Sequence, residues 1–69
     1  MTIEEALVSK KVFLSPAEFA PIANMSPNTI RVYAEQAPDE LLFPTMRTGT
    51  RTRIPRVLAL RALGYEVES

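Results

Sequence analysis

Apolar residues recur at helical spacing in four stretches of this chain, and every stretch opens on a recognisable start signal. Thr2-Ile3-Glu4-Glu5 has the form of a capping box, in which the hydroxyl takes a backbone N–H of the first turn and the glutamate reaches back. A short helix to about Ser9, with Ile3, Ala6 and Leu7 on one side, is predicted. Val12, Phe13 and Leu14 then form a brief strand-like run. Ser15-Pro16-Ala17-Glu18 repeats the capping box with proline at the first helical position, where its missing N–H does no harm. Phe19, Ile22 and Ala23 follow at helical spacing, interrupted by Pro21. An interior proline deletes one backbone hydrogen bond and clashes with the preceding turn, at about 3 kcal/mol. This helix is therefore expected to be short, bent or tightened near Pro21. Asn24 suits the turn after it, because asparagine tolerates a left-handed backbone.

Ser26 is the N-cap and Pro27 the first residue of the next helix, which should run to about Gln36 and stop before Pro38. Ile30 and Ala34 face inward. Asn28, Thr29, Arg31 and Tyr33 lie on or near the remaining surface, and all four can donate hydrogen bonds to phosphates or base edges. From Leu41 the pattern changes to that of a hairpin, in which threonines favour strands and Gly49 supplies the positive φ of a tight loop. Arg51 and Arg53 alternate onto one face, Thr52 and Ile54 onto the other. Pro55 stands where a last helix would begin, Val57, Leu58, Leu60, Ala62 and Leu63 supply its apolar surface, and Gly64 is its stop. The expected core is Phe19, Ile22, Met25, Ile30, Leu42, Ile54, Val57, Leu58 and Leu63, each worth about 1.5 to 3 kcal/mol on burial.

With 69 residues, the chain buries only roughly 60% of what its unfolded form exposes, which leaves little room for a catalytic cleft. It has no cysteine and no histidine, so disulfides, thiolate zinc sites and the usual acid/base pairs are all excluded. No nucleophile and base can be assigned, no cofactor is expected, and an enzyme is not the expectation. No apolar run approaches a membrane span, and the acidic segment Met1 to Ala6 lacks the basic start of a signal peptide. A cytoplasmic location, away from membranes, is the reading. The net charge is zero, yet Arg47, Arg51, Arg53, Arg56 and Arg61 occupy a stretch without a single acid. A local basic field is what a phosphate backbone meets at close range. A solvated basic surface is the plainer alternative.

Met25-Ser26-Pro27-Asn28-Thr29-Ile30-Arg31-Val32-Tyr33 closely resembles the turn and second helix of the DNA-binding head of MerR-type regulators, within a resemblance that covers about Phe13 to Leu63. Leu41-Leu42-Phe43-Pro44 with Arg47 and Gly49 continues it into the wing, and Arg53-Ile54-Pro55 is similar to the wing exit of small phage and plasmid excisionases. Pro21 within the first helix, and Asn24 where glycine is usual, depart from the pattern. MerR-type regulators continue into a long coiled coil, for which six residues after Leu63 are too few, so the resemblance points to stand-alone excisionases and short regulators. The fold it implies is mainly α with a small β-hairpin, a winged helix-turn-helix. Residues 1–12 would be a helical extension, residues 13–64 the DNA-binding domain and residues 65–69 a short tail.

A helix entering the major groove presents its N-terminal residues to base edges, which makes Asn28 and Thr29 the base-reading candidates. The Thr29 hydroxyl could instead serve only the cap. The resemblance implies phosphate and base contacts for Arg31 and Tyr33. Arg47, Arg51 and Arg53 belong to the wing, and Ser26, Thr48 and Thr50 complete the expected DNA-contacting set. One arginine, Arg53 first, could instead pair with Glu35, Asp39 or Glu40 and hold the wing to the helices. Arg56 and Arg61 are expected to face solvent. The partners implied are double-stranded DNA, further copies of the chain on that DNA, and an integrase or host regulator. The expected function is that of an excisionase, which directs recombination by binding and bending DNA cooperatively, or of a small transcriptional regulator. The alternative is a protein-interaction module such as a phage antirepressor or an inhibitor of a host regulator.

Overall fold

Helix starts follow the capping residues. Helix α1 (Ile3–Val8) begins after Thr2, whose hydroxyl accepts from the Glu5 N–H at 3.2 Å while the Glu5 carboxylate accepts from the Thr2 N–H at 3.0 Å. Ser15 and Glu18 make the same reciprocal pair at the start of α2 (Pro16–Ala23), and Ser26 caps α3 (Pro27–Gln36) through the Thr29 N–H. Helix α4 (Arg56–Ala62) starts without a side-chain cap directly from strand β3 (Arg51–Pro55). The computed structural model describes residues 1–67; Glu68 and Ser69 of the expected tail lie outside the described residues.

Pro21 lies inside α2, which is eight residues long and continues to Ala23. The proline and Ala17, whose carbonyl loses its intrahelical partner, are both exposed, so water can take that bond. Asn24 ends the helix in the left-handed conformation (φ 56°), as its residue type predicts, and its N–H and that of Met25 both donate to the Ala20 carbonyl. The other end of the chain stops in the same manner. After α4, Gly64 (φ 95°) and Tyr65 donate to the Arg61 and Leu60 carbonyls, the paired bonds of a Schellman motif.

The sheet is larger than the expected hairpin alone. Strand β2 (Met46–Thr48) pairs with β3, and β3 also pairs with β1 (Phe13–Leu14), giving an antiparallel sheet of order β1-β3-β2. The fold is mixed α/β, with four α-helices and three strands among the described residues: the expected hairpin is present, and the strand-like run at Phe13–Leu14 joins it as a third strand. The pairing of Phe13 with Pro55 and Leu14 with Ile54 joins segments far apart in the chain, which local propensity does not reveal. Thr48 faces Arg51, so the connection is the two-residue loop Gly49-Thr50 with positive φ at the first position, the sign pattern of a type II′ turn.

Ala6, Leu14, Phe19, Ala20, Ile30, Phe43, Ile54, Ala59, Leu60 and Val67 form one core. Ala6 brings α1 into it, so the first helix completes this chain's own interior. Phe19 and Phe43 pack at its centre with ring centroids 4.7 Å apart in a tilted arrangement. Two expected core residues are outside it: Leu42 is 80% exposed and Leu58 is 58% exposed. The run from Leu41 to Phe43 alternates half-buried, exposed and buried, so Phe43 takes the place assigned to Leu42. On α4 the inward stripe is Arg56, Ala59, Leu60 and Leu63, at the helical spacing i, i+3, i+4, i+7. Arg56 is a further correction. It is 6% exposed rather than solvent-facing, with Nε donating to the Lys11 carbonyl and Nη1 to the Ala6 carbonyl, each at 2.8 Å. Arg61 is exposed as expected, and its Nη2 holds the Val67 carbonyl at 2.9 Å.

Candidate functional site

Helix α3 buries Ile30 and Ala34 and presents Asn28, Arg31, Val32 and Glu35 along its opposite face. Val32, 41% exposed between Arg31 and Glu35, was not anticipated as a surface residue of the site. A methyl-bearing side chain there could meet a thymine methyl as well as Thr29 could. Thr29 is half-buried, and its hydroxyl lies 2.6 Å from that of Ser26, so the two side chains share a hydrogen bond at the cap. The residue's cap role is thus met within the chain.

Strand β3 pairs with β1 only at Ile54 and Pro55, which leaves its edge open alongside Arg51, Thr52 and Arg53. At that open edge lies a groove of about 450 Å³, lined by Phe13 to Pro16 on one side, Thr50 to Arg53 on the other, and Arg31 from α3. Three expected arginines, Arg31, Arg51 and Arg53, are therefore brought to one concavity from two separate elements. No carboxylate is among its lining residues. Ser15 at its lip is held by Glu18, whose carboxyl lies below the ordinary carboxylate range because the Lys11 ammonium and the Ser15 N–H both bind it. Lys11 Nζ is 2.6 Å from Glu18 Oε2, so that negative charge is matched beside the groove.

Sheet alternation separates the hairpin arginines. Arg51 and Arg53 share one face with Thr48 and Met46, which stand opposite them, whereas Arg47 stands opposite Thr52 on the other face. There Arg47 Nη1 approaches Glu35 Oε1 of α3 at 4.0 Å. An ion pair between hairpin and helix was expected, with Arg53 the first choice; Arg47 makes it. Arg53 instead lies over the Phe13 ring, 5.9 Å from its centroid. Thr48 and Thr50 are exposed at the hairpin tip.

Tyr33 is not brought to the arginine groove. It lines a second, apolar groove of about 340 Å³ with Ala23, Met25, Leu41, Leu42, Phe43 and Leu63, where Glu40 supplies the one charge. Positions 31 and 33 lie roughly 200° apart around a helix of 3.6 residues per turn, which separates the two side chains. The sequence signal for this groove was the run Leu41-Leu42-Phe43, whose middle residue has no inward partner to cover it. Phe13, Leu14, Ser15, Pro16 and Thr52 also line the arginine groove and were not among the expected site residues. No family model, curated protein or solved structure matches this chain.

Proposed function

We propose that this chain is a sequence-specific DNA-binding protein of winged helix-turn-helix type, with α2 and α3 as the helix pair and the β2–β3 hairpin as the wing. The observation that carries the reading is the groove at which Arg31 of α3 meets Arg51 and Arg53 of the hairpin without a carboxylate in its lining. A neutral chain that collects guanidinium groups from two elements has the local field and the planar donors that phosphates bind. The order of elements, the three-residue turn from Asn24 to Ser26, and the exposed stripe of Asn28, Arg31 and Val32 support the same reading. In this account α3 enters the major groove with Asn28 toward the base edges, and the hairpin follows the adjacent backbone.

Within that class the chain acts as an excisionase or as a small transcriptional regulator, binding and bending DNA without making or breaking a bond. Fluorescence anisotropy with duplex DNA across a salt series tests the DNA-binding claim. A log-log slope of roughly −3 to −4 is expected if about four phosphates are neutralised. Binding indifferent to salt, or unchanged when Arg31 and Arg51 become alanine, overturns it.

The apolar groove favours a second reading, a protein-interaction module such as an antirepressor or an inhibitor of a host regulator. Leu42 is 80% exposed beside it, and Glu35, Asp39 and Glu40 are exposed nearby in the chain. One stoichiometric partner recovered from host lysate, with no retardation of any DNA fragment, supports this module over the DNA-binding protein.

A further inference from the structure

We infer that Phe13 is a positioning residue for DNA binding, holding the Arg53 guanidinium on its ring so that the planar fork meets a backbone phosphate already aligned. The inference rests on the DNA-binding reading above and adds a residue that reading does not use. Its basis is the register of the short outer strand. Phe13 stands opposite Pro55 in β1–β3, and residues two apart on a strand share a face, so Arg53 is the diagonal neighbour of Phe13. The pair closes to 5.9 Å between guanidinium carbon and ring centroid, within the reach of a cation–π contact. Both residues line the arginine groove, and Phe13 remains half-exposed there while Leu14, its neighbour in the strand, is buried.

The chemistry follows from how a guanidinium binds. A cation–π contact uses none of the N–H donors, and those donors are what a phosphate oxygen accepts from. An arginine on an exposed strand otherwise samples many rotamers, and each must be given up on binding. Arg53 has no carboxylate partner within ion-pair distance among the described residues, so the ring is the group that restrains it. Phe13 touches no DNA in this account; it acts through Arg53.

The test is a double-mutant cycle, read by anisotropy with a mixed-sequence duplex two helical turns long (roughly 20 base pairs) at low salt. Phe13→Leu is expected to weaken binding about two- to fivefold, while Phe13→Tyr, which keeps the aromatic face, binds as the wild type does. In an Arg53→Ala background Phe13→Leu is expected to change nothing further. Equal loss from Phe13→Leu with and without Arg53, or no loss in either, overturns the positioning role while the wild-type binding curve leaves the DNA reading standing. A wild type that does not bind the duplex at all overturns both. Should Phe13→Leu fail to fold, the ring current of Phe13 gives a readout in the unmodified protein. Upfield-shifted Arg53 side-chain proton resonances support the cation–π contact, and ordinary resonances refute it.

Discussion

Arg56 Nη1 donates to the Ala6 carbonyl oxygen at 2.8 Å, joining the first residue of α4 to the last turn of α1. The same guanidinium reaches the Lys11 carbonyl through Nε, so one buried cation fastens both α1 and the approach to β1 onto the end of the sheet. A cation at a helix C-terminus also meets the negative end of its dipole. Truncating it leaves two carbonyl groups without their donor, at about 1 to 3 kcal/mol for each that stays buried. Arg56→Ala is therefore expected to lower stability by roughly 2 to 4 kcal/mol in urea denaturation. Arg56→Lys, which cannot span both acceptors with a single ammonium, should fall between. A loss under about 0.5 kcal/mol, typical of an ordinary surface residue, refutes the clasp.

In the proposed complex with DNA, the hairpin arginines are expected to be unequal. Arg51 lines the groove and has no carboxylate within ion-pair distance among the described residues, whereas Arg47 has Glu35 at 4.0 Å. Arg31→Ala and Arg51→Ala should each weaken binding about five- to tenfold near 0.1 M salt and reduce the salt slope by about 0.9. Arg47→Ala should do less on both counts, since part of its field is already spent on Glu35. Anisotropy titrations of the three variants on one duplex decide it, and equal losses would show that sheet alternation does not sort these residues.

Tyr33 provides the complementary case, because it faces the apolar groove on the other flank of α3. Tyr33→Phe removes the only donor the side chain has. Binding to the same duplex is expected to stay within about twofold of wild type, a difference well below 1 kcal/mol. A loss as large as that of Arg31→Ala would return Tyr33 to the set of DNA contacts.

What the sequence made legible is local. The three side-chain caps at Thr2, Ser15 and Ser26 involve partners three residues away, and the positive φ of Asn24, Gly49 and Gly64 is written in residue type. The strand-like run at Phe13–Leu14 was legible, but its partner was not, because a two-residue strand is fixed only by pairing with the distant Ile54–Pro55 segment. The phase of α4 was misread for a related reason. Treating Arg56 as solvent-facing rotates the inward stripe toward Leu58, and only the acceptors at Ala6 and Lys11 explain why a guanidinium is buried instead. At the candidate site, the alternation of Arg51 and Arg53 was readable, and Arg31 was expected in the same DNA-contacting set, though not its position beside them. Which hairpin arginine meets α3 depends on how the sheet sits against that helix, a tertiary fact, and so Arg53 was the first choice where Arg47 takes the place.

Asn24 carries a positive φ where an L-residue other than Asn, Asp or Gly pays about 1 to 2 kcal/mol. Asn24→Ala is expected to lower stability by about 1 kcal/mol, while Asn24→Gly stays within roughly 0.5 kcal/mol of wild type, since glycine reaches φ 56° without strain but is freer when unfolded. Thermal unfolding of the two variants distinguishes them. Because the turn sets the angle between α2 and α3, Asn24→Gly should also leave DNA affinity unchanged.

Acid should weaken the fold partly through Glu18. Its carboxylate accepts from the Lys11 ammonium and the Ser15 N–H, and both favour the charged form, so its pKa in the folded chain lies below the ordinary value of 4.5. A carboxyl with a depressed folded pKa contributes stability that is fully present above its unfolded value and is lost as pH falls through the folded one. Glu5 is shifted in the same direction by the Thr2 N–H and hydroxyl, so the two capping boxes should lose strength together below about pH 4.5. Lys11 is exposed, which screens its pair with Glu18 and holds the loss from Glu18→Gln to roughly 0.5 kcal/mol at neutral pH. Glutamine retains a carbonyl that can reach back to Ser15 but no charge to titrate. Urea midpoints compared at neutral and acid pH should therefore converge for Glu18→Gln and wild type as the pH drops. A constant gap between them would show that Glu18 acts by shape alone and that Lys11 contributes nothing to holding the lip of the groove.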